Sequence, residues 1–315
     1  MDVCSEILKT RCRVAVLCGG AGSERAVSLV SGRSVAGAVR NHGLPCDLMQ
    51  LPGHELPAEL DRGRHLVLPI IHGTYGEDGR LSADLDRGGF AYAGCDQASS
   101  VICFDKLACK ALAAHLGLPM ARDCYLPARS GVPFARLRDA LGLPFVLKPR
   151  WDGSSVGLHL VRNEEQYAAA AGDLSRTDYL AEVYLDGCDL TVGVLGGDPM
   201  GVVAIHPEGG LYDYQHKYTS GMSRYEVPAK LENELTVNLR NWSRGIFRAC
   251  ACRDLARVDF RTGADGEVAF LEVNTLPGMT PTSLLPKSAQ CVGLTFGDLV
   301  LRWVRFAFDR KEGRI

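Results

Sequence analysis

Arg257-Val258-Asp259-Phe260, followed by Phe270-Leu271-Glu272-Val273-Asn274 and then Leu276-Pro277-Gly278-Met279, decides how this chain is read. Each acidic residue sits in a β-rich run, 256–260 and 268–273. The turn-forming Thr262-Gly263-Ala264-Asp265-Gly266 lies between the runs, so the pair is expected as an antiparallel hairpin. Alternate residues of an extended strand share a face. Arg257 and Asp259 therefore project together from one strand, and Glu272 and Asn274 from the next. Two carboxylates, an amide oxygen and a guanidinium on one concave face suit Mg²⁺ and a polyphosphate, since hard oxygen ligands match the metal and Arg matches phosphate charge. The same spacing also describes any half-solvated strand, so the hairpin has to be read with the rest of the chain.

The 315 residues, 46% hydrophobic and 23% charged, are enough for two or three domains with a cleft between them. A net charge of −2 and a pI near 6.5 give no basic field for nucleic acid or an anionic membrane, so small-molecule partners are expected. Twelve cysteines are scattered without a C-x-x-C pair. Several fall inside apolar runs, as Cys18 does after Val14-Ala15-Val16-Leu17, where a thiol packs as a small hydrophobe; this argues against a zinc site or a disulfide scaffold. Cys250-Ala251-Cys252 is read as buried packing. There is no apolar leader-like region and no run near 18 apolar residues, so the expected setting is the reducing cytoplasm, without a membrane.

Strand and helix alternate in the first third. Residues 13–18 form a short apolar run ending at Gly19-Gly20-Ala21-Gly22. Residues 24–40 carry Val27, Val30, Val35 and Ala38 at helical spacing, with Ser23 as the expected N-cap, and 47–51 and 65–71 look like strands. This β-α-β start predicts a parallel sheet. Gly20-x-Gly22 and the later Asp47 resemble a dinucleotide fingerprint. Arg25 replaces its third glycine, however, and its bulk would obstruct close helix–strand packing. A helix is expected from Asp105 through Lys110 to His115, then strands at 143–148, 179–184, 190–195 and 200–206, the last two joined at Gly196-Gly197-Asp198-Pro199. Residues 211–223, polar and aromatic with neither period, are expected as a lid loop. Helices at 231–251 and 296–309 are expected to cover the last sheet. Lys148-Pro149 closes a strand just before Gly153-Ser154-Ser155-Val156-Gly157, a phosphate-cradle arrangement in which loop N–H groups fold over the anion and Lys reaches it; the Walker order is absent.

Six blocks in register resemble the D-alanine–D-alanine ligase family of the ATP-grasp superfamily. They are Glu24-Arg25-Ala26-Val27-Ser28, His72-Gly73-Thr74-Tyr75-Gly76-Glu77-Asp78-Gly79, Lys148-Pro149 with its Gly/Ser loop, Tyr212-Asp213-Tyr214-Gln215-His216-Lys217-Tyr218, Arg257-Val258-Asp259, and Glu272 through Met279. The resemblance implies an α/β fold of three domains: a Rossmann-like parallel sheet at 1–104, a central domain at 105–186, and a C-terminal domain at 187–315 that carries the lid. ATP would lie between the last two sheets. It implies ligation of two D-alanines through an acyl phosphate, for peptidoglycan precursors, and commonly a homodimer. The alternatives are a related ligase using D-lactate, D-serine or another amino acid second, and a non-catalytic nucleotide-binding protein.

Roles carry over by motif. Asp259, Glu272 and Asn274 would hold two Mg²⁺ ions, with Mn²⁺ as a substitute. Lys106, Lys148, Ser155 and Lys217 would contact ATP phosphates. Glu182, Tyr184 and Leu185 would face adenine, Leu271 would contact ATP, and Asp189, where the family usually has Glu, would contact the ribose. Glu24 and His72 would bind the first D-alanine, and Ser283 and Leu284 the second. Arg257 and the Gly278 N–H would stabilise the oxyanion. Glu24, Ser154 and Tyr218 would form a hydrogen-bonded triad in which the phenol helps deprotonate the incoming amine.

Overall fold

The computed structural model describes residues 3–153, 156–207 and 223–315. Each third of the chain contributes one sheet. The first is parallel, in the order β2-β1-β3-β4: β1 Arg13–Gly19, β2 Cys46–Leu51, β3 His65–Ile70 and β4 Ala91–Tyr92. The second is antiparallel, in the order β5-β8-β6-β7: β5 Asp123–Leu126, β6 Phe145–Pro149, β7 His159–Val161 and β8 Tyr179–Val183. The third, also antiparallel, runs β11-β10-β9-β12-β13: β9 Asp189–Leu195, β10 Asp198–Pro207, β11 Ser223–Glu226, β12 Leu255–Thr262 and β13 Val268–Asn274.

β1 and β3 are apolar along their length because both faces of the parallel sheet are covered. Val14, Val16, Leu66 and Leu68 pack on one side against the helix Arg25–Asn41, while Ala15, Leu17 and Val67 pack on the other against Leu81, Leu85 and Tyr92. The helix Arg25–Asn41 begins after Glu24, which takes the N-cap position in place of the expected Ser23. Gly32 gives the close helix–strand approach, since a Cβ there would stand 2.5 Å from the Cys18 Cβ. Arg25 instead folds its guanidinium over the loop and donates 2.8 Å bonds to the Gly20 and Leu51 carbonyls. Asp47 is committed to Arg13, at 2.5 and 2.6 Å, and to His65 at 3.2 Å. Both residues of the dinucleotide-like pattern therefore have structural duties.

Gly196 and Gly197 make a two-residue turn with φ of +61° and +88°, the left-handed pair that matches hairpin twist. Asp198 and Pro199, expected in that turn, begin β10. The last helix, Phe296–Lys311, was expected over the third sheet and packs on the first instead. Its fully buried Trp303, Val304 and Ala307 join the Val14 and Leu66 core, and Arg310 grips Asp254 at 2.6 and 2.7 Å. That helix supplies the second half of the cover the parallel sheet needs, which one helix of 17 residues leaves incomplete. Cys109 and Ala113 of the helix Lys106–His115 enter the core of the third sheet with Val258, Phe260 and Val273.

Candidate active site

β12 and β13 pair with Arg257 opposite Asn274 and Asp259 opposite Glu272, so the two carboxylates stand side by side. The register slips between Asp259 and Phe260 because β13 carries one extra residue at Leu271. That bulge changes which face the side chains take. Phe270 and Val273 stay in the core, while the adjacent Leu271 and Glu272, which strict alternation would put on opposite faces, both line the same slot. Arg257 clasps Asp259 through Nε at 2.9 Å and Nη2 at 2.8 Å. Thr191 on β9 donates to Asp259 Oδ1 at 2.6 Å. Asn274 Oδ1 accepts the Leu276 N–H at 2.9 Å and keeps a second lone pair for another partner.

Two adjoining spaces share this wall. The wider cleft, about 640 Å³, is lined by Glu24, His72, Glu77, Gly278, Ser283 and Leu284. The narrower slot, about 120 Å³, is lined by Lys148, Glu182, Tyr184, Leu185, Asp189, Asp259 and Leu271. Lys106, Asp152, Gly153, Arg257, Glu272 and Leu284 border both.

Ion pairs build the slot. Glu182, 3% exposed, is held by Lys148 at 2.5 Å and by Lys110, which also bonds Asp123 at 2.8 Å. Burial alone would raise the Glu182 pKa; the two ammonium groups reverse that and bring it to about 2. Arg261 ties the other side, donating to the Leu185 carbonyl at 2.5 Å, Asp189 at 2.9 Å and the Tyr184 hydroxyl at 3.2 Å.

The wider cleft depends on backbone. Glu24 opens the helix Arg25–Asn41, and its Oε2 lies where a Cβ on Gly73, at φ +72°, would come within 3.0 Å. Gly153 lies against the Glu24 and Glu77 carboxylates, which its Cβ would approach at 3.7 and 3.6 Å. His72, two residues past the end of β3, meets the Leu276 carbonyl at 2.9 Å through Nδ1 and Ser31 Oγ at 3.4 Å through Nε2. It thereby pins the Leu276-Pro277-Gly278 loop to the first sheet. Burial works against its charged form, but Glu77 at 3.7 Å, Glu24 and the Leu276 carbonyl prevail and hold its pKa above the ordinary histidine value. Ser283 Oγ accepts from the Thr280 N–H at 3.1 Å and lies beside Gly278. Lys106 donates to the Asp152 carbonyl and stands 3.7 Å from Glu272.

The chain also matches the family model described as D-ala D-ala ligase C-terminus over residues 118–305. The chain belongs to the D-alanine–D-alanine ligase family. The D-alanine–D-alanine ligase of Syntrophotalea carbinolica is 37% identical over 303 residues, covering 95% of this chain and 97% of that protein. That of Actinobacillus succinogenes is 38% identical over 299 residues, covering 91% and 95%. Among solved structures, the Bacillus anthracis ligase complexed with ATP superposes with a TM-score of 0.82 at 26% identity, covering 96% of this chain and 100% of that one. The VanG D-Ala:D-Ser ligase from Enterococcus faecalis gives 0.79 at 25% identity, covering 94% and 99%. The three-sheet α/β architecture is that of these ligases, the ATP-grasp fold.

Of the family-implied residues, Ser154, Ser155, Lys217, Tyr218 and the lid 211–223, apart from Ser223, lie outside the described residues. All the others line one of the two spaces. Sequence reasoning passed over Arg261, Thr191, Lys110, Glu77 and Asp152. Arg261 continues the Arg257, Asp259 alternation and could have been found by extending it by two. Thr191 and Lys110 carry no such sequence signal.

Proposed function

We propose that this chain joins two D-alanines to D-alanyl-D-alanine while ATP is cleaved to ADP and phosphate. One observation carries the reading: a narrow slot between two sheets, walled by Lys148, Glu182 and Asp259, and a wider cleft share a wall of Lys106, Arg257 and Glu272. A carboxylate bound in the cleft is then within reach of a terminal phosphate in the slot. A carboxylate is a poor electrophile because its leaving group would be oxide. Attack of its oxygen on the terminal phosphorus, with ADP leaving, yields an acyl phosphate; the second amine attacks the carbonyl carbon, and phosphate leaves with the C–O bond.

In this reading Glu24 receives the first ammonium with His72 nearby, and Ser283 with Leu284 receives the second carboxylate. Arg257 and the Gly278 N–H face the oxyanion, with Ser154 and Tyr218 completing the proton path. Lys106, Lys148, Ser155 and Lys217 face phosphate, Asp189 the ribose, and Glu182, Tyr184 and Leu185 the base, while Leu271 contacts ATP. The side-by-side carboxylates of Asp259 and Glu272 with the Asn274 amide oxygen are an all-oxygen donor set that fits Mg²⁺, or Mn²⁺ in its place. Bound there, the metal would neutralise charge on the phosphate oxygens. We further propose three units, 1–104, 105–186 and 187–315, each carrying one sheet, a homodimer, and a cytoplasmic role in peptidoglycan precursor synthesis. Among the described residues no helix is long and apolar enough to cross a membrane.

The test is incubation with Mg-ATP, D-alanine and either D-lactate or D-serine at neutral pH. Mainly D-alanyl-D-alanine, with D-alanine-dependent ADP release, supports the reading. A mainly depsipeptide or D-alanyl-D-serine product reassigns the second substrate, and ADP release indifferent to D-alanine overturns the reading.

A further inference from the structure

Behind the hairpin, on the face turned away from the slot, the core of the third sheet is unusually rich in sulfur. Cys103 lies in the last turn of the helix Gln97–Phe104, Cys109 lies in the helix Lys106–His115, and Cys250 caps the helix Asn233–Ala249. Their three sulfurs lie within 4.8 Å of one another, and all three residues are buried. Cys252 Sγ stands 3.6 Å from Cys103 Sγ. Among the described residues this is the one place where three such ligand atoms of His, Cys, Asp or Glu converge so closely.

Three sulfurs each about 2.3 Å from one ion stand about 4.0 Å apart when trigonal. The cluster is therefore close to coordination distance without rearrangement of the helices. We propose that Cys103, Cys109 and Cys250 form a binding site for a soft, thiophilic divalent cation of the Zn²⁺ or Cd²⁺ kind, distinct from the oxygen-lined metal position on the other face of the hairpin. An all-thiol set without carboxylate or carbonyl oxygen selects soft ions over Mg²⁺. The absence of a C-x-x-C pair argued against a zinc site and for packing at Cys250; the proposal departs from that expectation because the ligands come from separate segments of the chain. Cys103 borders the wider cleft, which gives the ion an entry path. As each S–metal bond forms, the thiol proton passes to solvent, so apparent affinity rises with pH. Lys106 is three residues before Cys109 on the same helix, so a bound ion fixes the helix that presents Lys106 to Asp152 and Glu272.

The experiment is titration of the reduced full chain with Cd²⁺ in excess Mg²⁺, which occupies oxygen ligands and leaves sulfur-to-cadmium charge transfer as a sulfur-specific signal. One equivalent per chain is expected, lost in Cys109→Ala and Cys250→Ala and kept in Cys12→Ala, whose thiol packs in the first sheet's core. Should either variant fail to fold, the anomalous peak in Cd²⁺-soaked crystals of the unaltered chain decides. A peak among the three sulfurs supports the site. Occupancy only at the half-buried Cys4, Cys124, Cys188 or Cys291, or a titration unchanged by Cys109→Ala, overturns it.

Discussion

The slot and the cleft meet at one wall but are held open by different forces. In the slot, charged side chains fix one another: Lys148 and Lys110 on Glu182, and Arg261 on Asp189, Tyr184 and Leu185. In the cleft, the contact that matters most is one imidazole on a backbone carbonyl 204 residues away. Buried charge pairs tolerate loss of a partner poorly, whereas the cleft's imidazole holds its loop through a single hydrogen bond to a carbonyl, with the Glu77 carboxylate farther off at 3.7 Å. The slot is therefore the stiff half and the cleft the adjustable half, a sensible division when the nucleotide is invariant and the amino-acid pocket must accept two substrates in sequence.

Four measurements would break or sharpen that contrast. The largest effect is expected at the shared wall: Glu272→Gln should keep the far-UV circular dichroism and slow D-alanine-dependent phosphate release by about a hundredfold or more. Retention of most activity would remove Glu272 from the chemistry. Next, Glu182→Gln takes the buried counter-charge from Lys148 and leaves Lys110 with Asp123 alone, and should cost up to about 3–5 kcal/mol in denaturant unfolding. Because the Glu182 pKa is depressed from 4.5 to about 2, its stabilisation is present above the ordinary carboxyl value and drains away as pH falls through that window. The variant's stability should accordingly change less with pH over that range than the parent's.

A smaller effect is expected in the cleft. His72→Ala releases the Leu276 loop and should raise KM for D-alanine up to about tenfold, the worth of one hydrogen bond, with KM for ATP unchanged. Equal shifts in both constants would mean that the two spaces are not mechanically separate. Smallest is Arg261→Lys, which keeps the charge but loses the forked donors that reach three partners. It should raise KM for ATP a few-fold and leave KM for D-alanine alone, as steady-state kinetics would show.

The hairpin was legible because two-residue spacing is a local property: Arg257 and Asp259 could be placed on one face from the chain alone. The Leu271 bulge was not, since an extra residue is recognised only against its partner strand. The same applies to Thr191, whose hydroxyl matters because β9 lies beside β12, and to the three converging thiols, which look unrelated at positions 103, 109 and 250. The last helix was legible as a helix from its apolar period, but its destination was misread. Amphipathicity says that a face will be buried and leaves open which sheet buries it.

The sequence by itself determined most of the strands and helices, the acidic hairpin and the family, because these rest on local spacing and on six blocks in fixed order. Only the tertiary structure decided that slot and cleft share Lys106, Arg257 and Glu272, that Arg261 and two lysines hold the slot, and that the final helix returns to the first sheet. Those outcomes depend on which buried surfaces and charges find partners far along the chain, from 34 residues for Lys148 and Glu182 upward, and packing, not periodicity, selects the partner.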